Sequence, residues 1–197
     1  RAVQQRNYQR EMDALIASLE TRPRLLLHSC CGPCSSACLE RLAPHFDIDV
    51  FFYNPNILPA EEWEKRLFWQ KHLLETAQFG KNVGLIVPER DEAAFRLAAA
   101  GLESEPEGGA RCTECFVLRL SRTAEAAREG GYDYFATTLT VSPHKNAPLI
   151  NAIGEKLAGD YGVFWLPSDF KKRDGYRRSI ELSHEYGLYR QNWCGCG

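Results

Sequence analysis

Four cysteines fall within nine residues of the stretch SCCGPCSSAC, positions 29 to 38, and two of them are adjacent. Cys112 and Cys115 follow in RCTEC, and Cys194 and Cys196 in WCGC. A Cys-x-x-Cys at a helix start lets one turn bring two sulfurs to a point, and exposed N–H groups there favour thiolate. Gly195 leaves the backbone free enough for both tail sulfurs to face one centre, and metal ligation would tie down a tail that otherwise frays. In extended chain successive side chains point to opposite sides. Cys30 and Cys31 are therefore expected to serve different centres, or one of them to pack. Cys38 reads as a small buried apolar residue. Seven cysteines remain. Four suit a tetrahedral or cubane site, and three suit a second, mononuclear metal with an open, catalytic position. Plainer readings exist. Structural zinc at one of the sites is the chief alternative, and Cys31-Gly32-Pro33-Cys34 is spelled like a redox dithiol, although a redox helper would not need the other two groups.

Composition narrows the setting. The chain has 197 residues, 44% hydrophobic and 25% charged, an ordinary globular profile with length for one well-buried domain. Eight cysteines with a large hydrophobic complement and a charged, helical opening fit the reducing cytoplasm better than a secreted disulfide scaffold. The opening has no export signal, its start at Arg1 suggests a few trimmed residues, and no apolar run approaches the roughly 20 residues of a membrane span. A formal net charge of −2 excludes a broadly basic nucleic-acid coat but not a local patch.

The elements that must position the sulfur alternate. Met12, Leu15, Ile16 and Leu19 have helical spacing, so residues 1–22 are read as an N-terminal helix ended near Pro23. RLLLHSC, DIDVFFYNP, VGLIVPE, YDYFATTLT and VFWLPSD read as five strands. Between them lie helices over 35–42, 59–80, 91–100, 113–129 and 147–162, with a last one over 175–186. Alternation of this kind predicts a doubly wound, mostly parallel α/β sheet of Rossmann type in a single domain spanning 1–197. Ligands of such sheets sit outside the carboxyl ends of the strands, where Cys30 and Cys31 follow the first strand. The cysteine-rich metal site is accordingly expected at the C-terminal strand ends, with 187–197 as a metal-ligating tail.

The blocks HSCCGPCSS, YNPNI, GLESEPEGGARCTEC, TTLTVSPHKN and DFKKRDGYRRSIELSHEYGLYRQNWCGC together closely resemble the QueH family of tRNA epoxyqueuosine reductases, over about Arg24 to Cys196. The resemblance implies a cobalamin-independent oxidoreductase for the last step of queuosine biosynthesis. It would remove the epoxide oxygen from epoxyqueuosine at the wobble position of tRNA, using a 4Fe-4S cluster beside a mononuclear iron (another divalent metal being possible in an isolated sample). The fold implied is related to the PP-loop, HUP-like ATP pyrophosphatases. CCGPCSS stands where their phosphate cradle lies, so no ATP binding is expected. Some family members carry Asp at the position of Cys34, which favours Cys34 at the mononuclear iron.

On that footing Cys31, Cys112, Cys115 and Cys196 are assigned to the cluster, and Cys30, Cys34 and Cys194 to the mononuclear iron. Turning an epoxide into an alkene takes two electrons and two protons and releases water. A low-potential cluster can pass electrons singly, a metal with an open position can act as a Lewis acid, and an electron-donor protein would supply the reductant. Asp169 follows the fifth strand and is a candidate proton donor, or else a helix cap. Tyr189 and Arg190 precede the tail cysteines and are expected to line the cavity, as is Gln191. His144, Lys145, Lys171, Lys172 and Arg173 are candidate contacts to anionic tRNA, the alternative being a solvated basic face. A modified anticodon base must leave its stack to be reached, which suits Tyr53, Tyr189 or Trp193 as stacking partners. No membrane partner is expected. A tRNA-thiolating enzyme of the same fold and a zinc-binding interaction module are the competing readings.

Overall fold

The computed structural model describes residues 5–196. The first four residues of the expected N-terminal helix, and Gly197 of the tail, lie outside the described residues. Five strands, β1 (Arg24–His28), β2 (Asp47–Phe51), β3 (Gly84–Ile86), β4 (Tyr134–Thr137) and β5 (Phe164–Trp165), alternate with seven helices. These are α1 (Tyr8–Ala17), α2 (Gly32–Leu42), α3 (Ala60–Thr76), α4 (Glu92–Ala98), α5 (Ala110–Glu129), α6 (Ala147–Tyr161) and α7 (Gly175–Glu185). The sheet runs β3-β2-β1-β4-β5 with every pairing parallel. Strand order reverses between β1 and β4, the kind of point at which ligands collect in such sheets.

Alternation along each strand divides the core. Leu25, Leu27, Ile48 and Val50 face one side, packing with Met12 of α1 and with Cys38, Leu39 and Leu42 of α2. Leu26, Phe51 and Phe135 face the other, against Phe116, Leu120 and Ala124 of α5 and Ile150 of α6. Both faces are therefore buried, which is why the strands read as continuous apolar runs. α2 is flanked by α3 and α7 on the first side, and α5 packs with α4 and α6 on the second.

Two local features position the sulfur. The chain leaves β1 at His28 and starts α2 at Gly32, so Cys30 and Cys31 occupy the turn between them. A Cβ on Gly32 would lie 2.7 Å from the carbonyl oxygen of Trp69, so glycine alone lets the start of α2 lie against the backbone of α3. α5 begins at Ala110, three residues earlier than its periodicity suggests, and both Cys112 and Cys115 belong to it. Pro167 and Ser168 follow a β5 of only two residues. No helix among the described residues is long and apolar enough to cross a membrane.

Candidate metal centre

Cys31 caps the start of α2 in extended conformation, and Cys34 lies in the first turn behind Gly32 and Pro33. The sulfurs of Cys30, Cys31 and Cys34 all lie within 4.8 Å of one another, with Cys30 and Cys31 3.8 Å apart. Adjacent cysteines thus share a centre. The expectation that they part company fails because side-chain alternation is a property of strands, and the strand has ended two residues earlier. Hydrogen bonds from the Cys31 and Cys34 thiols hold Cys30 well below the usual thiol range. Burial, together with its bond to Cys30, pushes Cys31 up to about 12, and its bonds to Cys30 and Cys31 raise Cys34. Gln191 of the tail donates Nε2–H to the Cys31 sulfur at 2.8 Å. Cys38 has its back to this group: it is fully buried in the core, its thiol on the carbonyl oxygen of Cys34.

Buried polar side chains hold the turn. His28, fully buried, donates from Nε2 to the carbonyl oxygen of Tyr53 at 3.0 Å and accepts at Nδ1 from the Thr137 hydroxyl at 2.9 Å. Burial, reinforced by the charge of Arg119, lowers it to about 4, so the ring is neutral and its tautomer fixed by the carbonyl. The hydroxyls of Ser29 and Ser35 meet each other and converge on Oε1 of Gln70. Asn54 donates to the carbonyl oxygen of Ser29 at 2.8 Å. Among the described residues, the hydroxyls of Tyr53 and Thr138, and Oδ1 of Asn54 and Asn56, are buried without a partner.

The other four cysteines meet elsewhere. Cys112, Cys115, Cys194 and Cys196 line one cleft with Asn56, Phe95, Phe116, Arg119 and Lys145. Gly108 donates its N–H to the Cys112 sulfur at 3.2 Å, and the sulfurs of Cys194 and Cys196 are 2.8 Å apart. The hydrogen bond from Cys196 is the chief cause that brings Cys194 down to about 5, and donating it raises Cys196. Burial raises Cys115. Burial would depress Arg119, but the sulfurs of Cys115, Cys30, Cys194 and Cys196 outweigh it, and its pKa rises.

Arg66 of α3 anchors the tail, a role for which the sequence offered only metal. It is 2% exposed and paired through Nε with Glu62 at 2.7 Å. Its Nη1 and Nη2 donate to the carbonyl oxygens of Cys194 and Trp193 at 2.9 and 3.2 Å. Leu58 donates its N–H to the Gly195 carbonyl at 2.8 Å. Gly195 has φ 103°, and a Cβ there would stand 3.2 Å from both Arg66 Nη atoms. Neither Arg66 nor Arg119 is distinguishable from a surface arginine by sequence spacing alone.

The remaining candidates scatter. Asp169 is buried and its carboxylate is taken by Lys171 Nζ at 2.6 Å. The Tyr189 hydroxyl stands 3.4 Å from Glu62, with Lys65 Nζ 3.6 Å above the ring. Arg190 donates to the Ser183 hydroxyl at 3.3 Å. Lys145 lines the sulfur cleft and pairs with Glu107 at 3.1 Å, whereas the neighbouring His144 is exposed. Arg173 pairs with Asp13 at 2.7 Å, and Lys172 is exposed.

This geometry corrects the expected cofactor and the mechanism built on it. The assignment of Cys31, Cys112, Cys115 and Cys196 to a 4Fe-4S cluster, with Cys30, Cys34 and Cys194 on a mononuclear iron, fails because the Cys31 sulfur groups with Cys30 and Cys34. The metal-binding group among the described residues is thus a set of three cysteines, one fewer than a cubane takes. Epoxide reduction by a cluster acting with an adjacent iron loses its footing with it.

A parallel α/β fold with a three-thiol group at the β1–α2 turn defines a metal-binding protein of the Rossmann-like class. The family profile described as "Epoxyqueuosine reductase QueH" matches residues 25–197. The chain is 45% identical over 197 residues to a protein of Staphylococcus epidermidis, covering 96% of this chain and 83% of the relative. It is 44% identical to one of Streptococcus pyogenes serotype M1, covering 96% and 76%, and 37% identical to one of Thermotoga maritima, covering 87% and 88%. Each of the three is named epoxyqueuosine reductase QueH. The chain belongs to the QueH family, a family of oxidoreductases.

Proposed function

We propose that this protein reduces the epoxide of epoxyqueuosine in tRNA to the alkene of queuosine without cobalamin. The observation that carries the reading is the three-thiol group at the β1–α2 turn in a chain of this family. Both epoxide C–O bonds break, two electrons and two protons are consumed, and the oxygen leaves as water. The electrons come from a separate redox protein.

The donor set fits a thiophilic metal: three sulfurs converge, and hydrogen bonds already favour thiolate at Cys30. Held by Cys30, Cys31 and Cys34, such a metal would supply Lewis acidity toward the epoxide oxygen. The protein's own residues bind and orient. The site runs along the rim where β1, β2 and β4 end, and the unpartnered polar atoms of Tyr53, Asn54, Asn56 and Thr138 are available to the hydroxyls and base edge of the substrate. Trp193, 41% exposed and adjacent to Cys194, offers a face for the displaced base. Tyr189 and Arg190 flank its approach, and His144 and Lys172 contact phosphate. Asp169, engaged by Lys171, organises its loop rather than donating a proton. ATP has no part, a reading supported by the buried thiols and hydroxyls that fill the first turn of α2.

The test is to incubate anaerobically purified protein and a chemical reductant with epoxyqueuosine-containing tRNA and digest it to nucleosides for mass analysis. A product lighter by one oxygen is expected. Unchanged nucleoside with metal-loaded protein would overturn the proposal.

A further inference from the structure

Arg119 is a buried cation with no carboxylate partner among the described residues. It lies on α5, is 4% exposed, and lines the cleft of Cys112, Cys115, Cys194 and Cys196. Among the described residues its one hydrogen bond is a long one, from Nε to the carbonyl oxygen of Cys115 at 3.4 Å. Among the described residues it forms no ion pair, although Arg66, equally buried, has Glu62. Burying a guanidinium costs several kcal/mol unless charge and hydrogen bonds offset it. The cleft it lines carries the four sulfurs together with Asn56 and Lys145, and Cys30 of the three-thiol group is near enough to act on its charge.

We propose that Arg119 is a positioning residue that balances the negative charge of the three-thiol group once it holds metal. The proposal rests on the reading of Cys30, Cys31 and Cys34 as metal ligands. A cationic metal bound by three thiolates is a net anion in a buried place, and a fixed guanidinium nearby offsets that charge without occupying a coordination position. Arginine suits the task because it keeps its charge when buried, as lysine does less readily. Without metal the thiols carry less negative charge, so the guanidinium is less fully offset there than in the loaded protein, which separates this role from a structural one.

Cobalt(II), whose thiolate complexes are coloured, is the probe. Arg119→Met should weaken cobalt(II) binding by about 10- to 100-fold, the usual cost of removing a residue that supports metal ligands. Its metal-free melting temperature should be unchanged or higher. Arg119→Lys should recover part of the affinity. A lower metal-free melting temperature with wild-type cobalt affinity would make Arg119 structural and overturn the proposal, as would equal affinity and equal stability. If Arg119→Met does not fold, Arg119→Gln is read in the same way, and failure of both to fold also overturns it. Absence of cobalt(II) binding by the unsubstituted protein would instead remove the metal-site reading, and this proposal with it.

Discussion

At the scale of single residues, the thiols divide into those that converge and one that packs. Cys30→Ser, Cys31→Ser and Cys34→Ser should each lower bound metal to a small fraction of the wild-type level and abolish reduction of the epoxide. Cys38→Ala should keep both, losing only about 1 kcal/mol of stability, because its sulfur sits among Leu25, Leu39 and Leu42 rather than with the other three. Metal analysis and a urea unfolding curve on the four variants check this; metal loss from Cys38→Ala would contradict it. The spacing of the cysteines was legible in the sequence as three groups, and Cys38 as a core residue. Which sulfurs share a centre was not. That depends on where β1 stops, and a strand end shifted by two residues decides whether Cys30 and Cys31 diverge or meet. Arg66 and Arg119 were invisible for a related reason: each acts on a partner distant in sequence, and no local pattern marks a buried arginine.

At the scale of elements, the alternation of apolar runs with periodic segments predicted all five strands and seven helices, since hydrophobic burial on both faces of a parallel sheet leaves a plain imprint. What periodicity could not convey was contact between elements. Gly32 is the sharpest case. Gly32→Ala would drive a Cβ to 2.7 Å from the Trp69 carbonyl, forcing the start of α2 away from α3 and moving Cys31 and Cys34 with it. Metal affinity should fall at least about tenfold while far-ultraviolet circular dichroism stays native; unchanged affinity would show that the turn tolerates the shift. A second contact ties the opposite ends of the strands to the α5–β4 connection. Tyr132 donates its hydroxyl to Asp49 Oδ2 beneath the guanidinium of Arg24. Burial and then the Asp49 carboxylate push the phenol up to about 12. Its unfolded value is about 10, so the unfolded chain ionises first. Stability from this contact is complete below pH 10 and is lost as pH rises toward 12. Tyr132→Phe should lose less stability than the wild type over that window in urea titrations, and an equal loss would exonerate Tyr132.

At the scale of the whole molecule, charge is more evenly matched than the basic run of Lys171, Lys172 and Arg173 suggests. Lys171 is paired with Asp169 and Arg173 with Asp13 of α1, while Arg178 is held by Glu40. Local pairing spends most of the run before any polyanion arrives. Neutralising all three should therefore reduce the dependence of tRNA affinity on salt by about one phosphate contact, a change of roughly 0.7 to 0.9 in the log–log slope, rather than three. Filter binding across a salt series measures it, and a threefold larger change would mean that tRNA displaces the internal acids.

The two sides of the sulfur site are unequal in firmness. Cys30 and Cys31 leave the central strand, whose amides are bonded to β2 on one edge and β4 on the other. Among the described residues, the tail carrying Cys194 and Cys196 is fastened by single side-chain and backbone bonds, from Leu58, from the fork of Arg66 and from Gln191 to the Cys31 sulfur. Amide protons of Leu25 to Leu27 should exchange with deuterium only when the entire fold comes apart, those of the tail far sooner. The molecule therefore has one hard jaw and one soft one, and the hard one keeps its thiols in register.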